Sequence, residues 1–403
     1  MYTRRVASRP YDVLSSDEAR NEARGNPLSF LHVTKPEIDL PPGIHPYSDR
    51  VYQKGKENLD KLIHDGILTQ DPEASFYLYA QTLGNHVQYG LVGCVSAEEY
   101  ATGVIRRHEL TRQDKEDDRT RHVSTTNAHT GPILLMHRPH GALGSIVSVV
   151  CAAPPVTDLF ADDGVRHRLW IISEKTQITG IGDAFREIEH LYIADGHHRC
   201  AAGARVARER ASINLRHSGN EEYNALLAVL FPYDQLQIMA YNRAVTDLHG
   251  RTPEEFLENV GRFFTITHAP AAIAPQRKGD IGMFLQGRWQ MLRAPSRLLD
   301  DSDPVKRLDV SILQNHLLRP VLGIDDPRTS RRIEFVGGIR GVGELERYVG
   351  SGEMAVAFAL YPTSIEELLA VADSEMIMPP KSTWFEPKLR DGMVVHLLEE
   401  EEG

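Results

Sequence analysis

Apolar positions recur along the chain in two rhythms. Val51, Leu59, Leu62 and Ile63 share one face at helical spacing and predict a helix from about Ser48 to His64, closed by Gly66. An earlier helix starts at Ser15 or Ser16, where either hydroxyl can cap and Asp17 and Glu18 sit well against the helix dipole. Phe76 to Tyr79 and Tyr89 to Val95 form a hairpin across Gly84-Asn85. Ser96 caps a short helix through Tyr100. Val104 to Arg107, Gly131 to His137, Ile146 to Val150 and Arg168 to Ser173 read as strands, and Ile181 to Glu189 as a helix. Leu191 to Ala194 is a short apolar run that stops at Asp195-Gly196, and an Ala-rich helix follows from Arg199 to Ala211. Tyr223 to Phe231 reads as a buried segment, and its length leaves strand and helix both open.

Beyond Phe231, helices at Pro253 to Phe263, Asp309 to Val321, Glu344 to Val349 and Ile365 to Asp373 alternate with strands. The strands are Met283 to Phe284, Ile333 to Val336, Ala355 to Leu360 and Met393 to Leu398. The pattern predicts a mixed α/β (α+β) protein. Its 403 residues suit two domains, 1–235 and a C-terminal α+β domain 236–403 that closes the site.

Composition narrows the function. Apolar residues make up 41% and charged residues 25%, enough for a sizeable core. The net charge of −11 counts against a reader of duplex DNA and suits a small anionic substrate held by a few Arg and Lys residues. Cys94, Cys151 and Cys200 form no CxxC pair, so neither a disulfide framework nor a thiolate zinc site is expected. No apolar run follows Arg4 and Arg5, and stretches such as Ile146 to Val156 fall short of the about 20 residues that span a bilayer. A cytoplasmic protein with no membrane and no nucleic-acid partner is expected; the oligomeric state stays open. The charged stretch Arg112 to Arg121 reads as a solvated helix face.

Three segments carry candidate chemistry. At Asp195-Gly196-His197-His198-Arg199 a strand stops, a glycine turns the chain and a helix begins. Helix starts offer N–H groups and partial positive charge to an anion. Gly196 removes the Cβ that would hold a phosphate away, and Arg199 adds a fork suited to phosphate oxygens. Asp195 is placed to hold a metal ion or position a hydroxyl. A surface His pair with a capping Asp is the plainer alternative, and zinc is disfavoured because no HExxH spacing occurs. In the second segment, Glu109 beside His108 can serve as a general base for an alcohol, or can pair with Arg106, Arg107 or Arg112. The third is Met378 to Lys388, where Pro379-Pro380 stiffen a loop carrying Lys381, Ser382, Thr383 and Lys388. It reads as a phosphate clamp, with Trp384 and Phe385 as core anchors or ligand contacts. The GxxxxGK frame of a P-loop is absent.

Together these segments resemble the domain-of-unknown-function family number ten-fifteen. The resemblance rests on Pro10-Tyr11-Asp12-Val13, Phe30-Leu31-His32-Val33, Gly103 to Thr111, Tyr192 to Arg199 and Met378 to Lys388, and covers nearly the whole chain. The family is related to the free serine kinases, which phosphorylate the hydroxyl of L-serine to give O-phosphoserine on a ParB/sulfiredoxin-like nucleotide-binding fold. The resemblance implies such a core with a large insert. Gly196, Arg199 and Ala202 match the ParB-like G-x-x-R-x-x-A pattern, and His108-Glu109 matches the box whose Glu is the base in those kinases. The insert between the two boxes is much longer here.

The expected activity is phosphoryl transfer to a small alcohol, serine first. Glu109 takes the hydroxyl proton with His108 beside it. Asp195 orients the hydroxyl or Mg²⁺. Gly196, His197, His198 and Arg199 cradle phosphates, and Lys381, Ser382, Thr383 and Lys388 close over the donor, which is ATP, ADP or pyrophosphate. The rival is a ParB-like nucleotide-binding regulator without small-molecule turnover; a metal-dependent hydrolase built on the His residues is a third reading.

Overall fold

The computed structural model describes residues 2–299 and 301–399. The chain falls into two units. The first holds residues up to Arg107, Thr111–Leu236 and the residues from Pro387 onward; the second holds His108–Leu110 and Gln237–Glu386. Residues 387–399, grouped by sequence with the second domain, pack in the first unit.

Eight strands make the sheet of the first unit: β1 (Phe76–Leu83), β2 (His86–Ser96), β3 (Ile105–Arg106), β4 (Ile133–His137), β5 (Thr157–Phe160), β6 (Arg166–Ile172), β7 (Leu191–Asp195) and β8 (Ala225–Pro232). Their order is β3-β7-β4-β8-β2-β1-β6-β5. The pairs β3–β7 and β4–β8 are parallel and the rest antiparallel. Helices α1 (Asp49–His64), α2 (Gln113–Thr126), α3 (Gly141–Cys151), α4 (Lys175–Arg186) and α5 (His197–Ile213) belong to the same unit. Leu135 of β4, Ile193 of β7 and Leu226 of β8 are buried with Cys200 and Val206 of α5. A second core joins Leu78, Leu91 and Trp170 to Leu143 and Val150 of α3 and Ile181 of α4. α5 can lie close to its neighbours because residue 203 is glycine: a Cβ there would stand 2.7 Å from Leu226 and 2.8 Å from His129.

The second unit carries a six-stranded antiparallel sheet of β9 (Tyr241–Val245), β10 (Thr265–Ala269), β11 (Asp280–Leu285), β12 (Arg288–Arg293), β13 (Ile333–Gly337) and β14 (Val356–Ala359). The order is β10-β12-β11-β14-β9-β13. Gln237–Met239 pairs separately with Trp384–Glu386.

The mixed α/β class expected from the pattern holds, and most elements lie where the rhythm puts them. Ser15 caps its helix with the reciprocal Glu18 bond of a capping box. Ser96 likewise accepts from the Glu98 and Glu99 N–H groups. Ile146 to Val150, expected as a strand, lies instead within α3. Leu143, Val147 and Val150 recur at helical spacing, a rhythm longer than the five-residue run that suggested a strand. Tyr223 to Phe231 resolves as strand β8. The charged run around Arg112 to Arg121 is helical, but not simply a solvated face: Asp118 and Arg119 are buried as an ion pair. From Gln314 to Leu318 the expected helix continues as a π-helical turn after Asp309–Leu313. The strand expected at Met393 to Leu398 shrinks to His396–Leu397, paired with Ala128–His129. Strands β5, β9, β10 and β12 were not anticipated; polar residues interrupt each of them and leave no apolar run longer than two residues. Cys94, Cys151 and Cys200 are free thiols. Among the described residues no helix is long and apolar enough to cross a membrane.

Leu135 is fully buried on a central strand. Leu135→Ala is expected to cost about 2–5 kcal/mol, whereas Leu215→Ala, at a fully exposed position, stays within about 0.5 kcal/mol. Denaturant titration of both variants checks this, and equal losses would contradict the placement of the core.

Candidate phosphate site

β7 ends at Asp195, where its pairing with β4 slips: Leu134 faces Asp195, Leu135 faces Ile193, and the register shifts between them. Such an irregularity re-aims a side chain at a strand end. Gly196 then adopts φ 92° and ψ 31°, a left-handed conformation that side chains disfavour. The next residue begins α5, a helix of 17 residues. Its start brings N–H groups without helical acceptors to the strand tip.

Arg199 folds back over this turn. A Cβ on residue 196 would lie 3.0 Å from Arg199 Nε and 3.2 Å from its Cζ, so the glycine is needed for the close approach as well as for its φ. Arg199 Nη1 donates to the Pro132 carbonyl. Its Nη2 lies 3.4 Å from Asp195 Oδ2, and Lys388 Nζ lies 3.6 Å from the same oxygen. Asp195 therefore stands between two cations, one from α5 and one from the far end of the chain. Lys388 is held there in part by its own carbonyl, which accepts from Gln81 Nε2 of β1 at 2.8 Å.

Burial alone would lower the pKa of Arg199, but Asp12, Asp195 and Asp391 outweigh it and raise the pKa further. The charges of Asp12 and Asp391, and more weakly Tyr11, add to the field that Asp195 exerts on Arg199. Asp391 exchanges two backbone bonds with Ser8, at 3.1 and 3.0 Å, which ties the N-terminal segment to the C-terminal one. Its carboxyl fills the space above Gly131, where a Cβ would stand 2.5 Å from Oδ1. That oxygen has no hydrogen-bond partner among the described residues. Burial and the nearby Asp12 push Asp391 up to about 7, while Arg199 and Arg119 pull the other way. Arg119 lies 4.0 Å over the ring of Tyr11 and bonds Asp118, which also accepts from the Tyr52 hydroxyl at 2.9 Å. A small cavity separates Arg119, Gly131, Arg199 and Asp391.

The two histidines of the turn differ. His197 is buried at the start of α5. His198 Nε2 accepts from the Arg112 N–H at 3.0 Å, which points it toward the start of α2.

The remaining candidates lie in the second unit. His108 is buried; its carbonyl accepts from the Met378 N–H at 2.8 Å, and its Nε2 lies 3.4 Å from Thr383 Oγ1. The His-Glu segment and the Pro-Pro-Lys-Ser-Thr loop, 275 residues apart, thus meet. Glu109 is half-buried. Lys381 takes a positive φ of 58°, rare for a residue with a side chain. Its carbonyl accepts from Arg243 Nη2 at 2.8 Å, and its Nζ sits 5.7 Å over the ring of Tyr241. Ser382 is buried, and its hydroxyl donates to the Pro379 carbonyl at 2.6 Å, so it shapes the loop. Phe385 is buried; Trp384 meets Tyr241 edge-on at 5.0 Å and leaves room only for glycine at 337.

Sequence reading did not single out Asp391, Arg119 or Tyr11. Tyr11 stood within the Pro-Tyr-Asp-Val motif without a role, and Arg119 was hidden in a run of alternating charges. Asp391 lies three residues past Lys388, beyond the end of the motif.

The raised pKa of Asp391 has a signed consequence. Its protonated form favours the folded state, so that contribution is complete below about pH 4, the range of an unperturbed carboxyl, and is lost as pH rises through about 7. Asp391→Asn removes this dependence. Unfolding free energies of both proteins between these limits should show a downward slope in the wild type that is reduced in the variant; parallel curves would contradict it.

Comparisons place the chain among known proteins. No curated protein matches it. Among solved structures it is similar to a free serine kinase in complex with AMP, at 13% identity and a TM-score of 0.39, over 76% of this chain and 92% of that one. It is also similar to SbnI with a C-terminal truncation from Staphylococcus aureus, at 13% identity and 0.41, over 77% and 90%. A conserved hypothetical protein from Pyrococcus furiosus aligns at 13% identity and 0.36, over 74% and 93%. The family model described as "Protein of unknown function (DUF1015)" matches residues 2–311, and the chain belongs to that family.

Proposed function

We propose that the chain is a phosphotransferase that moves a phosphoryl group from ATP, ADP or pyrophosphate to the hydroxyl of a small molecule, free L-serine first, giving O-phosphoserine. The first unit is read as a ParB/sulfiredoxin-like nucleotide-binding core. The observation that carries the reading is the turn at Gly196, where Arg199 and Lys388 flank Asp195 beside the start of a long helix. Two fixed cations and a helix start suit a group that carries several negative charges.

The roles follow from each side chain's chemistry. Gly196, His197, His198 and Arg199 receive the phosphates. Lys388 neutralises charge on the donor, and Lys381, Ser382 and Thr383 belong to the loop that closes over it. Asp195 orients the acceptor hydroxyl. Mg²⁺, if carried with the donor, would screen the phosphate oxygens, and Asp195 is the carboxylate to hold it; Arg199 and Lys388 compete for the same oxygen, so the ion would depend on donor phosphates for its other ligands. Glu109, supported by His108, takes the hydroxyl proton.

Full-length protein incubated with Mg²⁺, each donor and each amino acid should yield O-phosphoserine by mass spectrometry. Glu109→Gln should lower that rate by about 10²–10⁴ with little change in melting temperature, since the alternative role, a surface ion pair, is worth about 0–1 kcal/mol. Full activity in the variant would move the base elsewhere. No phosphorylated product with any donor, together with measurable nucleotide binding, would favour a regulator of the ParB type instead.

A further inference from the structure

A cleft of about 390 Å³ opens in the first unit where Arg4, Arg5 and Arg9 meet Arg390. Lys388 and Asp391 reach Asp195 and Arg199, while Arg390, between them in sequence, enters this cleft. A chain with a net charge of −11 therefore gathers three arginines from one six-residue stretch and a fourth from the other end of its sequence around one hollow.

The backing of the cleft is built. The Arg390 side chain is only 7% exposed. Its Nε donates to His167 Nε2 at 3.3 Å, and the other ring nitrogen of His167 bonds the Tyr79 hydroxyl at 2.7 Å. An imidazole that accepts from a guanidinium is neutral, so it fixes the direction of Arg390 without cancelling its charge. Asp163, half open to solvent, supplies the counter-charge.

The rim is less satisfied. Arg4 lies 3.9 Å from Asp162, with side chains 72% and 102% exposed, a pairing that solvent weakens strongly. Arg5 Nε bonds the neutral amide oxygen of Asn26 at 3.3 Å. Arg9 pairs with Glu22. Four guanidinium groups face three carboxylates, Glu22, Asp162 and Asp163, so the lining keeps an excess of positive charge.

We infer that this cleft is a second anion site, separate from the phosphate turn, for a small molecule bearing two or more carboxylate or phosphate groups. Guanidinium forks bind both group types in pairs of parallel hydrogen bonds. Arg390 anchors one group from within, and Arg4 and Arg5 close on the other from the rim. The inference does not depend on the phosphotransferase reading.

Calorimetric titration of full-length protein with citrate tests the carboxylate ligand; inorganic pyrophosphate, titrated into full-length Arg199→Lys, whose phosphate turn is weakened, tests the phosphate ligand. Arg4 and Arg5 are exposed, so the double variant R4A/R5A should fold. At least one of these titrations should show binding. Adding R4A/R5A should weaken that binding by about tenfold or more, and Arg199→Lys should leave citrate binding within about twofold. The inference is overturned if neither titration shows binding, if R4A/R5A leaves the binding unchanged, or if Arg199→Lys removes citrate binding, which would place the anion at the turn.

Discussion

A guanidinium nine-tenths removed from water needs counter-charge within a few ångströms, or the fold around it is penalised heavily. Arg199 meets that need by pairing with Asp195 and by lying in the field of two further carboxylates from other parts of the first unit. Asp195 comes from the end of β7, Asp12 from the N-terminal segment and Asp391 from the C-terminal one. Meeting this one charge fixes much else. It explains why Gly196 and Gly131 have no side chains, since each would collide with Arg199 or Asp391. It also explains why the segment from Pro387 onward returns to the first unit.

The same cluster bears on reactivity. A carboxyl held near neutrality and a cation held well above it are two ends of one electrostatic arrangement. Burial, together with the nearby Asp12, pushes the Asp391 carboxyl up to about 7, against the pull of Arg199 and Arg119. An incoming phosphate would meet Arg199 and Lys388 from the open side of Asp195, with part of their charge already committed. On the proposed reading, the turn favours groups of high charge density over a neutral ligand.

Much of this was legible in the sequence, and the reasons for the exceptions are physical. The strand–Gly–helix turn announces itself because an apolar run, a glycine and an Ala-rich helix follow in order, and Arg199 stands one turn into that helix. Lys388 could be named as a phosphate-side cation, though not as the partner of Asp195. Asp391 and Arg119 could not be found this way: a buried charge looks like any surface charge until the fold closes other segments over it, as Tyr11 lies against Arg119 and Gly131 against Asp391. α3 was misread because Ile146 to Val150 is apolar except for Ser148, and only the wider spacing back to Leu143 distinguishes helix from strand. Strands β10 and β12 escaped for the opposite reason, having too few consecutive apolar residues.

The central claim is that phosphate binds at the turn through the fork of Arg199. Removing the side chain entirely would strand three acids, at a cost of about 3–5 kcal/mol, and would confuse folding with binding. Arg199→Lys keeps the charge and loses the fork. The direct measurement is the affinity of ADP and pyrophosphate for this variant beside the wild type, with melting temperatures taken on the same samples. A loss of about tenfold or more in affinity, in a protein that still unfolds cooperatively, is the predicted result. Unchanged affinity for both compounds would contradict the account and place the phosphate site elsewhere.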